Sequence, residues 1–129
     1  MAWVGEVQPL LRCYTLGVLW LPNSDVPPEV KVLQPEIRPR KGVSYEAIPH
    51  LNFNSADPAF SSLCLFDPDT NEWCPRMWIA DTFVPWAIKW VCSYEAWHID
   101  GVWRGRSAPG PESVAEIRAL ARQSEESAA

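Results

Sequence analysis

Four cysteines, Cys13, Cys64, Cys74 and Cys92, are the strongest nucleophiles in the chain. A thiolate attacks carbon near neutral pH without an elaborate activating relay. No two of them form a CxxC pair, and only His50 and His98 could complete a ligand set, so a zinc centre is not supported. The chain carries no glycine-rich phosphate loop, GxSxG elbow or HExxH helix. Nucleotide binding, serine hydrolysis and zinc proteolysis therefore drop out as first readings, and no cofactor is called for. Thiol chemistry remains.

The position of each cysteine sorts them. Cys13 falls in a predicted strand and Cys92 in the middle of a predicted helix, so both are expected in the core. Cys64 and Cys74 lie in an irregular segment, where a rigid scaffold tends to hold reactive groups. Cys64 stands between Leu63 and Leu65, an apolar setting that opposes ionisation and would slow hydrolysis of a thioester. Upstream, Pro49-His50-Leu51-Asn52-Phe53-Asn54 supplies an imidazole and two side-chain amides, and an amide N–H can stabilise the oxyanion formed when an acyl carbon is attacked. Structural readings compete at each position. A cysteine between leucines is more often a buried structural thiol. His50 and the asparagines commonly bond their own backbone, Asp81 is placed to cap a helix, and Trp73 is a candidate for the core.

The scaffold that must position these groups is one domain. The chain has 129 residues, 47% of them hydrophobic, enough to bury a core without disulfide staples. With 16 acidic residues against 11 basic ones and a net charge of -5, a nucleic-acid groove is excluded as a first reading, because neutralising phosphates takes a surplus of Lys and Arg. The opening MAWVGEVQPLL lacks a signal peptide's basic and apolar regions, and Pro22, Pro27 and Lys89 break the apolar runs short of a bilayer span. A cytoplasmic protein with free thiols is expected.

Residues 2–9 read as a strand with Trp3, Gly5 and Val7 on one face. Residues 12–21 read as a second, and Val30, Val32 and Ile37 mark a third, so three neighbours joined by short turns predict an antiparallel meander. Residues 38–78 lack clear periodicity, and their interspersed aromatics point to an ordered, packed loop. Ala80-Asp81-Thr82 offers an N-cap for an amphipathic helix reaching about Trp97 or His98. Its positions Phe83, Trp86, Ala87, Trp90, Tyr94 and Trp97 recur at three- and four-residue steps, and Gly101 stops it. A linker spans 104–112, and Val114, Ile117, Leu120 and Ala121 form the narrow apolar stripe of a terminal helix. The 13 prolines divide the chain into short pieces, and the surplus among 8 tryptophans could mark a protein-binding face.

Three stretches, PHLNFN, SSLCLFDPDTNEW and IADTFVPWAIKWVCSYEAWHIDGVWRG, resemble the prokaryotic ubiquitin-conjugating-enzyme-like family of short type II antiphage (CBASS) operons. The resemblance covers about residues 2–105. It implies an α+β ubiquitin-conjugating-enzyme-like fold over residues 1–105, an antiparallel meander on a long helix with the active cysteine in an extended ordered loop. A linker and C-terminal helix follow in 106–129. Cys64 matches the family's active cysteine, which accepts an acyl group as a thioester. His50 and Asn52 match a His-Pro-Asn motif of eukaryotic relatives in which Leu51 replaces the proline, and Asn54 is an alternative to Asn52. The amino-terminal helix of eukaryotic conjugating enzymes is expected to be absent. Arg104-Gly105-Arg106-Ser107 stands where the family has a glycine-rich tail.

The implied partner is a cyclic-oligonucleotide synthase, a nucleotidyltransferase related to the metazoan DNA sensor, engaged through its C-terminus. In this reading Trp73 shapes the channel for the acyl tail and Asp81 orients an incoming amine, with Cys74 the reserve nucleophile. A non-catalytic adaptor of the same fold and a Cys64/His50 hydrolase that trims a protein tail are the alternatives.

Overall fold

A computed structural model describes residues 1–66 and 72–104. The predicted terminal helix and the linker beyond Arg104 lie outside the described residues. Three antiparallel strands form the main sheet in chain order: β1 (Ala2–Val7), β2 (Tyr14–Leu19) and β3 (Glu29–Gln34). Gly5 faces Leu16 across β1 and β2, and Val18 faces Val30 across β2 and β3. The expected meander is therefore present. β1 alternates as an edge strand should, with Trp3, Gly5 and Val7 half-buried and Ala2, Val4 and Glu6 exposed. β2 lies between its neighbours and is buried from Leu16 to Val18.

The third strand ends sooner than its apolar pattern implied. Pro35 follows Gln34 and has no N–H to offer the ladder. Ile37 is nevertheless buried, in the irregular stretch beyond the strand. Cys13 corrects a second expectation, since it precedes the first residue of β2 and is exposed, whereas Cys92 is buried as expected.

The aperiodic stretch breaks into short pieces. Single 3-10 turns occupy Tyr45–Ala47, Pro58–Phe60 and Ile79–Asp81. Two-residue strands β4 (Leu51–Asn52) and β5 (Ser62–Leu63) pair antiparallel, Leu51 with Leu63 and Asn52 with Ser62. β5 packs beside β3, which ties this hairpin to the main sheet.

Helix α1 (Phe83–Asp100) begins after Thr82, and Pro85 sits in its first turn, where a missing N–H breaks no bond. Gly101 adopts φ 78° and donates its N–H to the Trp97 carbonyl at 2.8 Å. It is a left-handed C-terminal stop of the kind glycine favours. Asp81 is not the cap. Thr82 holds that position, and its Oγ1 donates instead to the Trp78 carbonyl at 2.8 Å.

The helix differs from the amphipathic expectation, because every residue from Trp90 to Trp97 is buried. One side meets the sheet core of Leu16, Val18, Val30 and Val32. Another carries Cys92 and Ala96 beneath Leu10. Ser93 donates to the Arg104 carbonyl at 2.7 Å, and the Tyr94 hydroxyl bonds both the N–H and the carbonyl of Arg38, at 2.9 and 3.1 Å.

Glu95, 6% exposed, accepts from the N–H groups of Leu11 and Arg12 at 3.1 and 3.2 Å and from the Tyr14 hydroxyl at 2.8 Å. A buried carboxyl is tolerated when donors surround it in this way. Burial above all, and then Glu95, pushes the Tyr14 hydroxyl far above the ordinary tyrosine value.

Candidate functional site

The hairpin of β4 and β5 continues one step past its strands. The Cys64 N–H donates to the His50 carbonyl at 2.9 Å, and the Trp90 indole N–H reaches the same oxygen from α1 at 2.8 Å. His50 itself adopts φ 51°, the left-handed region that a β-carbon disfavours. Three parts of the chain, separated by up to 40 residues, thus meet at one backbone oxygen next to the candidate nucleophile.

Burial around Cys64 alternates as it does along a strand. Ser61, Leu63 and Leu65 are buried, and Ser62, Cys64 and Phe66 are half-buried. The pleat sends Leu63 and Leu65 to the core and turns the Cys64 thiol to the opposite, partly open face. The thiol lies 4.0 Å from the Phe66 carbonyl oxygen.

Asn52 is exposed and faces Ser62, two residues before Cys64, with its Nδ2 donating to the serine Oγ at 3.4 Å. Asn54 serves its own turn. Its side-chain oxygen accepts from the N–H groups of Ala56 and Asp57, and its N–H donates to Ser61 Oγ at 2.9 Å. Of the two asparagines, Asn52 is the one with a loosely held amide, since 3.4 Å is at the weak end of hydrogen bonding. The exposed His50 ring lies 5.7 Å, centre to centre, from Trp103.

The remaining candidates sit in other surroundings. Trp73 is half-buried in an aromatic cluster, 6.0 Å from Phe66 and 5.9 Å from Phe83 between ring centres. It also lines a cavity of about 320 Å³ with Trp20, Met77 and Trp78. Cys74 is half-buried, and its carbonyl closes a turn with the Met77 N–H at 3.0 Å. Asp81 is exposed at the end of a 3-10 turn, its N–H donating to the Trp78 carbonyl at 3.1 Å.

The structure thus brings Cys64, His50 and Asn52 onto one short hairpin. Trp90 and Trp103 were not among the expected site residues. Helical spacing places Trp90 in the core, which is correct, but nothing in the spacing says where its N–H points. The one general signal is that a buried indole needs an acceptor.

Among the described residues, no group of three His, Cys, Asp or Glu side chains could hold a metal ion. No helix among them is long and apolar enough to cross a membrane. A search of curated proteins returns no match. The family model described as type II CBASS E2 protein matches residues 1–111, a span that takes in the sheet, the hairpin and α1. With most of its length matched, this chain belongs to the type II CBASS E2 protein family.

Proposed function

We propose that the protein is a ubiquitin-conjugating-like transferase in which Cys64 takes the C-terminal acyl group of a partner cyclic-oligonucleotide synthase as a thioester, in antiphage defence. The observation that carries this reading is that Cys64 is only half-buried, on a backbone fixed by the Cys64–His50 hydrogen bond at 2.9 Å. A nucleophile for a protein tail must be both reachable and held still, and orientation supplies much of the rate once the acyl group is activated.

In this scheme the acyl group arrives activated, as a thioester or an acyl anhydride. The Cys64 thiol gives up its proton, its sulfur attacks the carbonyl carbon, and the leaving group departs with the bonding pair. An amine then attacks the new thioester. The C–N bond forms, the C–S bond breaks, the amine loses a proton and the Cys64 thiolate is restored. Asn52 is proposed to donate to the oxyanion of each tetrahedral intermediate, its weak bond to Ser62 being easily exchanged. His50 is assigned to the catalytic group with Asn52, as the first residue of the motif in which Leu51 replaces proline. Trp73 is assigned a wall for the acyl tail, and Asp81 the orientation of the amine.

The test is intact mass spectrometry of the protein co-expressed with its operon's synthase, with and without reductant. The wild type is expected to carry a covalent adduct lost with thiol or hydroxylamine, Cys64→Ala to carry none, and Cys74→Ala to retain it. An adduct that persists in Cys64→Ala overturns the assignment.

One set of contacts favours a second reading, that of a binding adaptor. Trp78 is 77% exposed, and Leu21, Val26 and Met77 are exposed near it around the same cavity. Apolar surface of this kind marks protein-binding faces. The adaptor reading expects Cys64→Ala to keep full defence activity.

A further inference from the structure

We infer that Trp90 is a positioning residue for Cys64, acting through the carbonyl oxygen of His50. The inference rests on the reading of Cys64 as the nucleophile and adds the group that holds it in place.

A backbone carbonyl has two lone pairs, and the His50 oxygen engages both. One takes the Cys64 N–H at 2.9 Å and the other the Trp90 indole N–H at 2.8 Å. The cysteine's own peptide is thereby joined to the middle of α1 through a single shared atom. Trp90 is a rigid anchor for that purpose. It is 3% exposed, its ring stacks on Tyr94 at 5.3 Å with an interplanar angle of 13°, and Trp103 meets it edge-on at 5.2 Å. A ring confined in this way cannot swing its N–H elsewhere, and the N–H cannot be left unpaired in the interior. The acceptor side is over-determined too. His50 stays in the left-handed region at φ 51°, a conformation that persists only where surrounding contacts fix it.

The packing role and the hydrogen-bonding role of Trp90 are separable. An isosteric ring without the N–H would fill the space between Tyr94 and Trp103, whereas the smaller phenylalanine would leave part of it empty. Only the N–H reaches His50. What the N–H adds is a fixed direction for the carbonyl, and with it a fixed position for the Cys64 backbone beneath the thiol. Acyl transfer depends steeply on that geometry, since displacement of a reacting atom by about 1 Å can lower the rate on the order of a hundredfold.

The experiment replaces Trp90 with 3-benzothienylalanine, in which sulfur takes the place of the indole N–H at nearly the same shape, and compares it with Trp90→Phe. Amide hydrogen exchange is followed by NMR at Cys64 and at the core residues Leu16 and Val91. Single-turnover adduct formation with synthase carrying a preformed C-terminal thioester, whose thiol is the leaving group, and alkylation of Cys64 by iodoacetamide are measured in parallel.

Loss of the bond is expected to speed exchange of the Cys64 amide about tenfold, with Leu16 and Val91 unchanged. The maximal adduct rate should fall about tenfold at an unchanged half-saturating synthase concentration. Iodoacetamide should alkylate Cys64 as in the wild type, because a small reagent needs no aligned acyl group. Wild-type exchange at Cys64 in the isosteric variant overturns the inference. So does acceleration of all three amides together, which would assign Trp90 to global stability. If the wild type itself forms no adduct, the transferase reading fails, and the exchange data still decide whether Trp90 holds Cys64.

Discussion

Replacing Glu95 with alanine removes the acceptor that fastens the β1–β2 connection to α1. Three bonds are lost, to the Tyr14 hydroxyl at 2.8 Å and to the N–H groups of Leu11 and Arg12 at 3.1 and 3.2 Å. The three differ in what replaces them. Leu11 and Arg12 are exposed, so water takes over and each loss costs about 0.5 kcal/mol. Tyr14 is 3% exposed, and stranding its hydroxyl inside the fold costs about 2 kcal/mol. Together the change is about 3 kcal/mol, or a fall of about 10 °C in melting temperature for a chain of this size.

Urea melts at pH 7 of Glu95→Ala, Tyr14→Phe and the double variant separate these contributions. Tyr14→Phe alone should cost about 1.5 kcal/mol. The double variant should fall short of additivity by about 2 kcal/mol, because with the Tyr14 hydroxyl gone nothing is stranded and the shared 2.8 Å bond is lost only once. Additivity within about 0.3 kcal/mol, or a Glu95→Ala cost below about 1 kcal/mol, would refute the reasoning.

Alkaline stability should follow the same pair. Burial raises the hydroxyls of Tyr14 and Tyr94 above the ordinary tyrosine value of 10.0, so folding favours their neutral forms. Their contribution is complete below that value and drains away as pH rises through it. Unfolding free energy measured above about pH 10 should therefore decline less steeply in Tyr14→Phe than in the wild type, and parallel curves would speak against it. At the end of α1, Gly101→Ala forces a β-carbon onto φ 78° and into the Arg40 guanidinium. The backbone part alone costs about 1 kcal/mol, visible as a thermal shift of about 3 °C. An unshifted melt would show that the turn relaxes without cost.

The parts of the fold legible from sequence were those with a local period. β1 shows its faces in Trp3, Gly5 and Val7, and α1 shows its length in the spacing from Phe83 to Trp97 and in Gly101. The enclosure of α1 was not legible. The groups that cover its other sides, Leu10, Leu11, Arg12 and Arg38, come from distant stretches without periodicity. The β4–β5 pairing was hidden for a related reason, since two-residue strands are too short to display alternation. The candidate site was legible as residue types, with Cys64, His50 and Asn52 named from their chemistry and from a family resemblance. Its geometry was not, because it depends on a carbonyl, and backbone oxygens carry no residue-specific sign.

The unbroken run of buried residues from Trp90 to Trp97 also bears on how such a chain can diversify. Each substitution there disturbs a neighbour, whichever way the side chain projects, so neutral drift has almost no foothold at the centre of α1. Innovation among related sequences should accumulate in the exposed turns, such as Pro22 to Val26 and Pro75 to Trp78. There new recognition properties can be sampled while the platform beneath Cys64 keeps its shape.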